Sequence, residues 1–106
     1  MIHETILFMR KELNSRLTIE DMASRHQLSA SHFSNLFRKS TGMSPMDYFI
    51  HLKLQKACLL LYTDNIKIKH IAQALGYDDP YYFSRLFKKY QGMSPDQYRV
   101  VRRKDP

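Results

Sequence analysis

The chain writes one thirteen-residue phrase twice: Phe33 to Pro45 reads FSNLFRKSTGMSP, and Phe83 to Pro95 reads FSRLFKKYQGMSP, identical at nine positions. Two copies of that length within 106 residues constrain the fold more than any other feature, because each copy is expected to build the same supersecondary unit. In each copy the large apolar residues recur at intervals of three and four: Phe33, Leu36 and Phe37, then Phe83, Leu86 and Phe87. That spacing defines one face of a helix, so these aromatics are read as core and not as platforms for stacked bases. Each copy then meets a glycine, Gly42 or Gly92, suited to a left-handed helix terminator. It resumes with Ser44-Pro45 or Ser94-Pro95, a capping residue followed by proline at the first helical position, where its missing N–H costs nothing.

No segment alternates at period two, and the spacing predicts an all-α chain of about seven helices. The first spans about 2–14 and carries Ile2, Ile6, Met9 and Leu13 on one side. The second begins at Thr18, which caps it while Asp21 reaches back, and turns Ile19, Met22 and Ala23 inward. The third follows Ser29. The fourth opens at Ser44-Pro45, with Asp47 completing a capping box, and runs to about Tyr62 with a stripe of Ile50, Leu54, Ala57, Cys58 and Leu61. A fifth near 67–75 buries Ile68, Ile71, Ala72 and Leu75. Asp79 caps a sixth that begins at Pro80 and buries Phe83, Leu86, Phe87 and Tyr90. Ser94-Pro95 with Gln97 starts a last helix that ends in the basic tail Arg102, Arg103 and Lys104.

Each half thus holds a short helix, a tight turn and a second helix, the plan of a helix-turn-helix, in which a small residue lets the two helices cross closely. Ala23 precedes Phe33 by ten residues and Ala72 precedes Phe83 by eleven, so the second turn holds one extra residue. Gly76 occupies the bend of the second unit. Gln27 stands in the first, where it would cost about 1 kcal/mol if the bend needs a positive φ. The expected layout is a first subdomain at 1–43 with a recognition helix near 30–40, a linker helix at 44–63, and a second subdomain at 64–106 with a recognition helix near 80–90.

Seventeen Lys and Arg against ten Asp and Glu give a net charge of +7 and a pI near 9.7. An excess of that sign points to a polyanion such as nucleic acid. The lone Cys58 excludes an internal disulfide and fits a reducing cytosol. It lies in an apolar stripe, not the electropositive, accessible setting that activates a thiol. No apolar run approaches the roughly 18 residues of a membrane span, and the start, MIHETILFMRKEL, is no secretory signal. The histidines at 3, 26, 32, 51 and 70 show no close ligand spacing, so neither a metal nor a cofactor is expected.

The chain resembles the DNA-binding domain of the AraC/XylS family of bacterial transcription regulators. The residues that carry the resemblance are Leu17-Thr18-Ile19 with Ala23, Leu28-Ser29, Phe33 with Leu36-Phe37-Arg38, and Gly42-Met43-Ser44-Pro45. They continue with Lys53-Leu54, Ala57, Leu60-Leu61, Ile68, Ile71-Ala72, and above all the run from Gly76 to Arg99, GYDDPYYFSRLFKKYQGMSPDQYR. The match spans about residues 3–100. It implies two homeodomain-like helix-turn-helix subdomains joined by a long linker helix. It also implies sequence-specific binding of double-stranded promoter DNA in the bacterial cytoplasm, usually for activation and sometimes for repression, with RNA polymerase as a partner. A monomer is expected for this chain. No segment remains for an effector pocket, so the chain is expected to be either a stand-alone regulator or the C-terminal part of a larger sensor.

With the core positions assigned, the outer faces follow: Ser31, His32, Ser34, Asn35, Arg38 and Lys39 on the first recognition helix, and Tyr81, Ser84, Arg85, Lys88 and Lys89 on the second, with Tyr82 partly covered. The resemblance maps base-reading positions onto Ser31, Ser34 and Asn35, and onto Pro80, Tyr81, Ser84 and Arg85. Arg85 can donate two hydrogen bonds to guanine, and Asn35 can pair with adenine. Pro80 cannot donate, which leaves one family contact point silent or apolar. His32, Arg38, Lys39, Lys88 and Lys89 are read as phosphate contacts. Lys53 and Lys56 either touch DNA or support packing. A linker from 45 to 62 would be about 27 Å long, which with the width of the units suits recognition helices one duplex turn apart. Two rival classes remain. An enzyme acting on DNA would need a nucleophile, and only Cys58 is available, so a methyl-transfer assay decides it. An architectural module would bind weakly and without sequence preference.

Overall fold

Residues 1–104 are described by the computed structural model, and the regular structure among them is helical throughout: α1 (Ile2–Lys11), α2 (Ile19–Ser24), α3 (Ala30–Thr41), α4 (Pro45–Thr63), α5 (Ile68–Ala74), α6 (Pro80–Gln91) and α7 (Pro95–Lys104). The end of the expected second subdomain, residues 105 and 106, and the side chain of Lys104 in the basic tail lie outside the described residues. Helix starts are set by side-chain caps. Thr18 and Asp21 close a reciprocal capping box, each oxygen 3.0 Å from the other residue's backbone nitrogen, and hydrogen bonding from the Thr18 backbone N–H, then from its side chain, holds the Asp21 carboxyl below its ordinary pKa. Ser29 accepts from the His32 backbone at 3.1 Å, and Asp79 accepts from the Tyr81 backbone at 2.9 Å with Pro80 just inside the helix. Ser94 and Gln97 form a second full box, and Ser44 accepts from the Asp47 backbone.

Helix ends are equally local. Gly42 and Gly92 adopt φ of +81° and +82°, and their N–H groups return to the carbonyls of Arg38 and Lys88. The two helix-turn-helix bends are superimposable in their bonding. Leu28 N–H donates to Ala23 and Gln27 N–H to Ser24 in the first; Tyr77 N–H donates to Ala72 and Gly76 N–H to Gln73 in the second. This is the Schellman pairing, which places one residue in the left-handed region. That residue is Gly76 at φ +83° in the second unit and Gln27 at φ +60° in the first. The bend does require positive φ, and the first unit meets it with a residue that has a Cβ.

The chain divides into two compact units, Met1–Leu52 and a second beginning at Lys53, so the boundary falls inside α4. The first unit's core consists of Met9, Met22, Ala23, Phe33, Phe37, Phe49 and Leu52. In the second unit Leu54, Ala57, Leu61, Ile71, Ala72, Leu75, Phe83 and Phe87 are buried. The repeat extends past the phrase that announces it: Phe37 meets Tyr48 edge-on with centroids 5.5 Å apart, and Phe87 meets Tyr98 in the same way at 5.5 Å. The opening turns of α4 therefore do in the first unit what α7 does in the second.

Three details differ from the sequence reading. The first helix stops at Lys11 instead of about 14, because Ser15 bonds back to the Glu12 carbonyl through both N–H and hydroxyl and tightens the chain into a turn. On α4, Ile50 and Cys58 are only half-buried, whereas Phe49, Leu52 and Lys53 are buried. One stripe was expected, but α4 turns one set of residues into each unit. Ile68, Leu86 and Tyr90, expected in the core, are half-buried as well.

Candidate nucleic-acid interface

In both units the second helix of the helix-turn-helix is fixed by two phenylalanines that are fully buried, Phe33 and Phe37 in α3 and Phe83 and Phe87 in α6. Their rings lie 5.9 and 6.0 Å apart, respectively. With that edge committed to the core, helical geometry turns the remaining side chains outward. On α3, Ser31, His32, Asn35, Arg38 and Lys39 are exposed and Ser34 is half-buried. On α6, Tyr81, Arg85, Lys88 and Lys89 are exposed, while Pro80 and Ser84 are half-buried. Ser34 and Ser84 occupy the same place in the repeat, at the rim between core and outer face, where only a short polar side chain leaves the helix face open to a partner.

Polarity is graded along each helix. Short polar or aromatic groups, joined by Arg85 in α6, occupy the first two turns, and cations occupy the last turn, Arg38 and Lys39 in α3, Lys88 and Lys89 in α6. Such cations favour the negative end of the helix dipole by about 0.3–1 kcal/mol each. Among the described residues none of Arg38, Lys39, Arg85, Lys88 and Lys89 is engaged in an ion pair with a carboxylate. Lys89 leans over the Tyr90 ring, 5.6 Å from its centroid.

One side chain expected to be partly covered is more open than that. Tyr82 is 49% exposed, beside Tyr81 at 76%, and its ring rests 6.0 Å from that of Tyr77. The Tyr77 hydroxyl, pushed up to about 12 by burial and by the neighbouring Tyr82 and Tyr90, stays protonated at neutral pH.

Several other basic residues are occupied elsewhere. Lys53 is buried and its Nζ donates to the Leu75 carbonyl at 2.5 Å, which assigns it to packing and not to DNA contact; Lys56 is exposed. Arg99 donates to the carbonyls of Leu61, Asp64 and Ile66 at 3.4, 3.3 and 2.6 Å. Arg103 donates to the Asn65 side chain at 2.6 Å and to the Asp64 carbonyl. These two guanidiniums satisfy acceptors that the end of α4 and its loop leave open. Burial pushes the Cys58 thiol upward, which disfavours the reactive thiolate. Among the described residues no cluster of three metal-ligating side chains occurs, and no helix is long and apolar enough to cross a membrane.

Two helix-turn-helix units, each showing an exposed polar-to-basic face, define the class. A family model described as a helix-turn-helix domain matches residues 22–100, and the chain belongs to this AraC-type family of transcription regulators. It is 45% identical over 75 residues to the MmsAB operon regulatory protein of Pseudomonas aeruginosa, covering 71% of this chain and 24% of that protein. It is 37% identical over 103 residues to the transcriptional activator Btr of Bacillus subtilis, covering 97% of this chain and 20% of that protein. The chain thus spans about a quarter or less of the length of these curated relatives. Among solved structures it is similar to the C-terminal domain of AraT, a response regulator from Geobacillus stearothermophilus, with a TM-score of 0.91 at 31% identity over 95% of this chain and 84% of that one. It is likewise similar to the DNA-binding domain of the transcriptional factor AdpA, solved with a target DNA, with a TM-score of 0.90 at 26% identity over 96% and 92% of the two chains.

Proposed function

We propose that the chain is the sequence-specific DNA-binding domain of a bacterial transcription activator working in the cytoplasm. In this reading α3 and α6 enter successive major-groove segments of an asymmetric promoter site of about 20 bp. The observation that carries it is the contrast between the two recognition helices: the same buried register, Phe33 and Phe37 against Phe83 and Phe87, but unlike outer faces. A protein reading a palindrome needs one face used twice. A chain with two different faces is suited to an asymmetric site.

Ser31, Ser34 and Asn35 read bases through α3, and Tyr81, Ser84 and Arg85 read bases through α6. Exposed Asn35 suits adenine N6 and N7, and exposed Arg85 suits guanine O6 and N7. His32, Arg38, Lys39, Lys88 and Lys89 hold the backbone phosphates and supply most of the salt-dependent affinity. In functional terms 1–43 and 64–106 are the reading units and 44–63 the linker. The chain binds as a monomer and touches RNA polymerase when bound. The AdpA domain, solved on its target DNA, supports the duplex partner. The greater length of the curated relatives supports a separate sensing domain in the intact regulator.

Selection of sites from random duplex DNA, followed by footprinting, tests the proposal. An asymmetric site with separate base preferences in each half, bound by one chain, is expected. Enrichment of only a two-fold symmetric site bound by an obligate dimer refutes it, as does binding without sequence preference.

A further inference from the structure

Among the described residues two polar side chains are buried, Thr5 and Lys53, at 3% and 4% exposure. They sit at matching places: Thr5 on α1, the first helix of the first unit, and Lys53 on the part of α4 that opens the second. Each reaches the bend of its own helix-turn-helix. The Thr5 hydroxyl donates its single proton to the Met1 carbonyl at 2.9 Å, so at its 3.2 Å contact with His26 Nε2 it accepts. The His26 ring is stacked parallel to Phe33 of α3, with centroids 6.2 Å apart. In the second unit the Lys53 ammonium donates to the Leu75 carbonyl at 2.5 Å and lies 4.9 Å over the Tyr77 ring. Tyr77 in turn packs on Tyr82 and Phe83 of α6, at 6.0 and 5.6 Å. Scaffold helix, polar bolt, aromatic of the bend and first phenylalanine of the recognition helix follow in the same order twice.

The two bolts differ in strength. The hydroxyl–imidazole contact spans 3.2 Å, whereas the ammonium on the carbonyl is charge-assisted and shorter, at 2.5 Å. Burying an ammonium is unfavourable, and an apolar side chain of equal length would fill the same space without that penalty. What the apolar chain lacks is direction: it cannot fix the Leu75 carbonyl to one point on α4. The second unit also holds the more demanding reader, because a bidentate guanidinium on Arg85 tolerates little angular error.

We propose that Lys53 is a positioning residue for base recognition by α6: by holding the Leu75 carbonyl and the Tyr77 ring, it fixes the first turn of the recognition helix against α4. Lys53 touches no DNA. It acts through Tyr77, Tyr82 and Phe83 on the side chains that do. The inference rests on the reading of the chain as a two-half-site DNA binder.

The test compares wild type, Lys53→Met, Lys53→Arg and Tyr77→Leu, each shown to be folded at the assay temperature by its melting curve. Affinity is measured for the selected duplex, for the same duplex with only the α6 half-site scrambled, and for one with only the α3 half-site scrambled. Lys53→Met is expected to lower discrimination at the α6 half-site by about tenfold and to leave discrimination at the α3 half-site unchanged. Lys53→Arg, which retains a cationic donor, is expected to restore most of the loss. Tyr77→Leu breaks the relay at its other end and is expected to give the same one-sided loss, which keeps the proposal testable should Lys53→Met not fold. Discrimination unchanged in the folded variants, or lost equally in both half-sites, overturns the role of Lys53. A wild-type chain that prefers neither half-site overturns the functional reading itself, and this inference with it.

Discussion

Replacing Gln27 by glycine should stabilise the first unit. The perturbation is clean because the Gln27 side chain is exposed, so its removal costs no packing. The bend holds Gln27 at φ +60°, and the equivalent Gly76 sits at +83° with the same pair of backbone hydrogen bonds. A residue with a Cβ costs about 1–2 kcal/mol in the left-handed region. Glycine removes that strain but adds freedom to the unfolded chain, a loss of about 0.5–1 kcal/mol. The net gain is therefore about 0.5–1 kcal/mol, or a rise of several degrees in the melting midpoint, at about 4–8 °C per kcal/mol for a small domain. Urea titration followed by circular dichroism measures it, with Gly76→Gln as the reverse substitution, expected to cost a similar amount. A Gln27→Gly variant no more stable than wild type would refute the assignment of strain to this bend. So would a Gly76→Gln variant that is not destabilised.

Arg85→Ala should lose about 1–3 kcal/mol on the selected site and relax preference at one base pair, whereas Lys88→Ala should weaken all duplexes alike and reduce the salt slope by about 1; equal losses on specific and random DNA for Arg85→Ala would remove it from base readout. Arg99→Ala should destabilise the second unit by about 1–2 kcal/mol in urea, because the Leu61, Asp64 and Ile66 carbonyls lose their shared donor. Alkaline pH should weaken the second unit. Tyr77 is raised from 10.0 to about 12, so the folded state keeps a proton that the unfolded state releases. Its contribution is complete below about pH 10 and is lost as pH rises through about 12, and Tyr77→Phe should flatten that part of a urea-midpoint profile. Cys58 should react with a thiol reagent more slowly in the native chain than in urea, with its reactivity midpoint displaced to higher pH, since burial raises its thiol; equal rates in both states would contradict this.

Helix starts and stops could be read from the sequence because they depend on residues within three or four positions. Thr18 with Asp21, Ser29, Asp79 with Pro80, and the terminators Gly42 and Gly92 each act on their own turn. The phenylalanine register of α3 and α6 was legible for the same reason, and it places the exposed faces of the candidate interface. Residues that answer to a distant partner were not legible. Lys53 stays open between DNA contact and packing until the Leu75 carbonyl, 22 positions on, is brought to its ammonium. Arg103 reads as a basic tail residue and Arg99 as the end of the shared run, yet both hold the loop at 64–66 from more than thirty positions away. The α4 stripe misled because one helix serves two cores, and a single period cannot describe two buried faces.

The repeat separates what must be shared from what is free to differ. Phenylalanine pairs, glycine terminators and Ser-Pro starts are identical in both copies, because each is demanded by the backbone path and the core. The outer positions diverge together: Ser31 against Tyr81, His32 against Tyr82, Asn35 against Arg85. The internal bolts diverge too, Thr5 with His26 against Lys53 with Tyr77. If the outer changes alone set the sequence preference, exchanging Asn35 and Arg85 should exchange the preferences of the two half-sites. If the bolt also matters, Arg85 grafted onto α3 at position 35 should read guanine less sharply than it does in α6, because the longer Thr5–His26 contact holds that helix less firmly. Site selection with the doubly exchanged chain, Asn35→Arg with Arg85→Asn, distinguishes the two: equal sharpness for guanine in either location would leave recognition to the surface residues alone.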